Sequence, residues 1–141
     1  MGKLESGTII SAITRTLKDN FPNCTIYKDK KMQGLKKPCF FVFKLNSEQE
    51  KYNKYIFNRD LLINIRYMNE GNRSELEEVE FNLQMILNYI EKYDIKLVPR
   101  SIKSEIIDDV LQVFVSYSIR VMEIKEIEET MNSIESKGVI K

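Results

Sequence analysis

The sequence predicts an α+β fold: a mostly antiparallel sheet of four or five strands, packed by three helices in the order α-β-β-β-α-β-β-α, with one long projecting hairpin. Three observations predict it. Residues 109–123 alternate with period two: Leu111, Val113, Val115, Tyr117, Ile119 and Val121 fall on one side. Gln112, Ser116, Ser118 and Arg120 share the other side with Val110 and Phe114. Residues 39–67 hold two extended apolar runs joined by a polar stretch, the pattern of a hairpin. Residues 6–19 and 74–91 instead carry apolar side chains at helical spacing. A strand with one wholly apolar face needs a cover, and amphipathic helices supply one.

The elements follow in order. Ile9, Ile10, Ile13 and Leu17 make the apolar stripe of a first helix over 6–19, with Arg15, Lys18 and Asp19 outside. Asn20 suits its C-terminal stop, and Pro22 prevents continuation. Cys24 to Lys28 reads as a short strand. A polar turn region with Gly34 and four lysines fills 29–37. Pro38 opens the next strand, where its missing N–H is least harmful. Cys39 to Leu45 is apolar on both faces at first and runs out into the polar, mixed-charge stretch 46–54. The chain returns from Tyr55, with Phe57, Leu61, Ile63, Ile65 and Tyr67 on one face and Asn58, Asp60, Asn64 and Arg66 on the other. Gly71 and Asn72 end that strand.

Ser74-Glu75-Leu76-Glu77 has the form of a capping box. Glu75, Glu77, Glu78 and Glu80 place negative charge at the positive end of the helix dipole. Leu76, Val79, Leu83, Ile86, Leu87 and Ile90 give this helix a core stripe down to Glu91. Residues 95–99 read as a short connection, and 101–107 as a strand. Asp108-Asp109 turns that strand into the long one, although Gly at the second place suits a type I′ turn better. Ile124, Ile127, Met131 and Ile134 predict a last helix over 125–136.

Composition narrows the function. A chain of 141 residues is one domain, 1–141, and needs no metal or disulfide staple. With 22 basic and 21 acidic residues the net charge is +1, which argues for neither nucleic acid nor an anionic membrane as partner. No apolar run reaches the roughly 20 residues of a membrane helix. The N-terminus lacks a signal pattern, so a soluble protein assembled in the cytoplasm is expected. Cys24 and Cys39 lie within or beside apolar strands and read as buried free thiols. There is no histidine, which removes the commonest general base and metal ligand. Gly-rich phosphate loops, Gly-x-Ser-x-Gly and His-Glu-x-x-His are absent. Neither an enzyme nor a metal or cofactor protein is expected.

An ordered set of residues carries a family resemblance. Ile26-Tyr27, Gln33-Gly34, Pro38-Cys39-Phe40-Phe41 and Glu105 to Tyr117, with the opening helix and the Met131…Ile134-Glu135 tail, resemble the small phage tail terminator proteins. These occur in contractile-tailed phages, defective prophages and phage-tail-like bacteriocins of Gram-positive bacteria. The family commonly carries Gly where Asp109 stands here. The resemblance implies a structural virion protein without catalytic residues, placed at the end of the tail. Its expected form is a homohexameric ring that caps the last tail-tube ring, ends elongation and meets neck, head-completion or sheath proteins.

For such an assembly the sequence offers two sets of candidate contacts. Glu48, Gln49, Glu50, Lys51, Tyr52 and Asn53 form the hairpin tip. Phe40, Val42, Ile56, Leu62, Val110 and Phe114 are apolar side chains on otherwise polar strand faces. The competing reading is a small ligand- or nucleic-acid-binding module that uses the lysines of the Lys28–Lys37 loop. Against it, no Arg or interleaved aromatic supports recognition there.

Overall fold

A computed structural model of the chain describes residues 6–28 and 34–122. Helix α1 spans Ser6–Asn20, followed by strands β1 (Thr25–Tyr27), β2 (Cys39–Lys51) and β3 (Ile56–Met68). Helix α2 (Arg73–Ile86) comes next, then β4 (Ile90–Lys92), β5 (Ile95–Leu97), β6 (Ser101–Ile107) and β7 (Val110–Met122). Five strands form one sheet in the order β1-β2-β3-β7-β6, and β4 and β5 form a separate hairpin. The class is α+β, as predicted, but the sheet is mixed: β1 runs parallel to β2, and the other three junctions are antiparallel. Two helices are present among the described residues. The third helix expected over 125–136 lies outside them.

Both helices lie on the sheet face that carries Phe40, Val42, Ile63, Ile65, Val113 and Val115, all buried. Helix α1 contributes Ile9, Ala12, Ile13 and Leu17 to that core and packs against β1, β2 and β4. Helix α2 contributes Leu76, Val79, Leu83 and its C-cap Leu87, and packs on β6 and β7. The periodicity of β7 is realised as read: Leu111, Val113, Val115 and Tyr117 are buried, and their neighbours less so.

Local chemistry moves several boundaries. The N-cap of α2 is Asn72, not Ser74: its side-chain oxygen accepts from the Glu75 N–H at 3.1 Å. Asn69 holds the preceding turn. Its oxygen accepts from the N–H groups of Gly71 and Asn72, and its amide donates to the Asn72 carbonyl and to Glu75. Gly71 sits at φ 84, a backbone conformation that suits glycine. Helix α2 ends at Ile86 rather than Glu91, and Ile90 enters the core from β4. The segment expected as a plain connection is therefore part of the β4–β5 hairpin, whose Ile90, Ile95 and Leu97 are all buried. Lys92 pins this hairpin to α1 through Asp19 at 3.0 Å, and that bond holds the Asp19 carboxyl below its usual range. Cys24 and Cys39 are buried free thiols, and burial raises the pKa of both.

Both two-residue hairpin turns have positive φ at each central residue: 53 and 63 at Tyr93 and Asp94, 52 and 61 at Asp108 and Asp109. That is the requirement of a type I′ turn, met here without glycine. Asp109→Gly is expected to raise the unfolding free energy by about 0.5–1 kcal/mol, seen as a higher urea midpoint. The change sacrifices only an exposed contact between Arg73 and Asp109 at 3.9 Å, which contributes little.

Candidate assembly surface

The long hairpin is not a loose loop. Strand β2 stays paired with β3 as far as Lys51↔Phe57, and β3 stays paired with β7 as far as Ile56↔Met122. The polar stretch expected as a run-out is thus regular strand from Asn46 to Lys51, and the projection has three strands rather than two. Every residue of β2 from Lys44 to Lys51 is exposed. A strand buried on neither face needs no apolar side chains, which is why its composition resembles a loop.

Side chains order the tip. Asn53 accepts from the N–H groups of Tyr55 and Ile56 at 2.9 and 3.0 Å and so closes the turn. The Arg120 guanidinium lies 4.1 Å from the centre of the Tyr52 ring and donates to Asn58 at 3.3 Å. Arg59 grips Gln49 with two nitrogens, at 3.2 and 2.8 Å. Tyr55 is 4% exposed, whereas Tyr52 is 57% exposed. The tip is therefore a held surface with Glu48, Gln49, Glu50, Lys51, Tyr52 and Asn53 facing outward.

The second set of candidates divides. Phe40 and Val42 are 0% exposed and lie in the core beneath the helices, so they offer no contact surface. The register explains the difference. Phe40 stands opposite Tyr67 and Val42 opposite Ile65, on the covered face, but the pairing shifts between Lys44 and Asn46. Leu45 is the extra residue of a β-bulge, and it inverts the parity of the strand. Counting by twos from Glu48 back to Phe40 suggests a shared face; with the bulge they lie on opposite faces. Ile56, Leu62, Val110 and Phe114 do lie on the sheet face away from the helices, each half-buried. Phe43 joins them there, with the Arg66 guanidinium 5.3 Å from its ring centre. Between Phe43 and Phe114, Asn64 is buried, donates to the Val113 carbonyl at 3.3 Å and accepts from Arg66 at 3.0 Å.

A further apolar surface escaped the reading of the sequence. Phe81 and Met85 on the outer side of α2 are 64% and 63% exposed, and Tyr89 just beyond the helix is 50% exposed. Their spacing of four was the signal, masked by the stronger core stripe of Leu76, Val79 and Leu83 on the same helix. The Lys28–Lys37 loop is described only in part. Lys36 and Lys37 are exposed, and the Lys36 N–H donates to the Tyr27 hydroxyl at 3.1 Å. Among the described residues no group of three or more His, Cys, Asp or Glu side chains comes together to hold a metal, and no helix is long and apolar enough to cross a membrane.

Comparison with known proteins adds the following. No curated protein matches. One solved structure, whose name states no function, is similar over 84% of this chain and 96% of its own, with 14% identity and a TM-score of 0.45. A family model described as phage tail terminator protein matches residues 8–131, which takes in α1 from Thr8 onward, the whole sheet and the projecting end. The chain that builds this three-stranded end is a member of the phage tail terminator protein family.

Proposed function

We propose that this chain forms a hexameric ring that caps the last ring of tail-tube subunits, ends tail elongation and presents a surface to neck, head-completion or sheath proteins. The observation that carries this reading is the ordered end of β2, β3 and β7, where β2 is exposed from Lys44 to Lys51. A strand extension this long, kept regular by Tyr52–Arg120, Arg59–Gln49 and Asn53 contacts, is stabilised for a purpose other than its own core. A ring also needs two different patches on each subunit, one received by the other. The exposed end of the sheet and the Phe81–Met85–Tyr89 stripe of α2 lie on different elements and can serve different neighbours. A net charge of +1 lets several copies crowd together without strong mutual repulsion.

Light scattering of the chain alone and with purified tail tubes, followed by imaging of tube ends, tests this. The expected result is a mass several times 16.7 kDa, alone or on the tube, and a cap at one tube end. A chain that stays monomeric and leaves tube ends bare overturns the reading. Binding to DNA or RNA that weakens linearly in log salt would instead favour the lysine loop as the working surface.

A further inference from the structure

Among the described residues the sheet has two unfinished edges, and both lie at the projecting end. Strand β1 pairs with β2 only from Cys39 to Phe41, so from Asn46 to Lys51 the β2 ladder is paired only with β3 among the described residues. On the far side, β6 covers β7 only from Val110 to Ser116. An exposed edge presents a row of unpaired N–H and C=O groups and is a template for another strand. We infer that these two edges join to each other between copies: the β2 edge of one subunit pairs with the β7 edge of the next, making one continuous sheet around the ring. The inference rests on the ring reading and names the surface that would close it.

Three observations select a second copy as the occupant. First, the edges stand at the same level. Asn58 pairs with Glu50 on one side and Arg120 on the other, and Asp60 pairs likewise with Glu48 and Ser118. Second, their charges are complementary. Glu48 and Glu50 are exposed on the β2 edge; the exposed Arg120 of β7 stands on the same face, away from the helices, and would exchange its contacts with Tyr52 and Asn58 of its own subunit for the neighbour's carboxylates. Third, β2 and β7 are both antiparallel to β3 and so run in the same direction. A repeat by rotation about an axis along the strands therefore sets β7 parallel to the next β2, a heterologous contact that closes into a ring.

The same charges argue against the alternative pairing. A two-fold contact of β2 with β2 would bring Glu48 and Glu50 against their own copies, and like charges across a strand pair are destabilising. Closing a sheet into a ring tilts the strands and shifts the register at each junction. An even shift keeps each side chain on its face and moves Arg120 from beside Glu50 to beside Glu48. Both carboxylates thus serve the same junction.

Cysteine cross-linking tests the pairing. Glu50→Cys, Glu48→Cys and Arg120→Cys are made singly on the full chain; the two native cysteines are buried. Each pair of preparations is then mixed and oxidised, with light scattering run alongside. The expected result is a disulfide-linked dimer when Arg120→Cys meets Glu50→Cys or Glu48→Cys, at least tenfold above any variant alone. The double variant Glu50→Cys/Arg120→Cys, or its Glu48 counterpart, should give a ladder of covalent multimers. Rings that form without either cross-link overturn the edge pairing and leave the ring standing. Strong self-cross-linking of Glu50→Cys also overturns it, in favour of two-fold pairing. A monomer, both free and on tubes, overturns the ring and the pairing with it. As a second measurement, Glu48→Arg/Glu50→Arg should weaken assembly at least tenfold, and adding Arg120→Glu should restore it.

Discussion

Replacing Phe40 with alanine is expected to lower the unfolding free energy by about 3–5 kcal/mol, measured by urea denaturation of the unassembled chain. Phe40 is 0% exposed and meets the rings of Phe21 and Tyr67 at centroid distances of 5.1 and 4.9 Å. Truncation removes a large buried ring and leaves a cavity beneath α1, and both effects act in the same direction. Phe114→Ala is the matched control. Its ring lies half-buried on the opposite face, and its loss is expected to lower stability by no more than about 2 kcal/mol. Equal losses at the two positions would undo the assignment of faces on which the assembly surface depends.

Alkali is expected to weaken the fold by a separate route. Burial, with the Glu75 charge second, pushes the Tyr67 hydroxyl up from 10.0 to about 12. Burial alone raises that of Tyr117 further, and the Tyr117 hydroxyl has no hydrogen-bond partner among the described residues. A raised folded-state pKa means that the folded chain holds the proton more tightly than the unfolded chain does. The stability this contributes is complete below about pH 10 and is lost as pH climbs through 12. Two pH units at Tyr67 correspond to about 2–3 kcal/mol, and Tyr117 adds to it. The raised thiols of Cys24 and Cys39 act in the same sense from about pH 9. With no histidine in the chain, stability should be nearly flat from about pH 6 to 8. Urea midpoints measured across pH 6–12 check this, and Tyr67→Phe should make the alkaline fall shallower. A steep change near pH 6.5, or an alkaline fall unaltered by Tyr67→Phe, would contradict it.

The sequence made some of this legible and hid the rest for identifiable reasons. Helix α1 and strand β7 carry one strong period each, so their buried faces could be read directly. The β4–β5 hairpin was hidden because its turn is Tyr93-Asp94, without the Gly or Asn that usually marks such a turn. The parallel pairing of β1 with β2 leaves no local signature, since register between separate segments is a tertiary property. At the start of α2, Asn72 and Ser74 are both good caps, and the Asn69 turn decides between them. The hardest feature was the bulge at Leu45. One extra residue has no compositional mark, yet it decides that Phe40 and Val42 go to the core while Glu48 and Glu50 go to the opposite face.

The geometry of β2, β3 and β7 also has a mechanical meaning. All three strands lie side by side along the projection, with ladder hydrogen bonds running across it. A pull along the strand axis loads every bond of a junction together, in shear, and the strands can part only if all of them fail at once. A pull across the sheet opens the bonds one at a time, from the end inward, at far lower force. The projecting end is therefore strong along its length and weak sideways. A plug built from it would resist tension along the strands and yield to peeling at its rim.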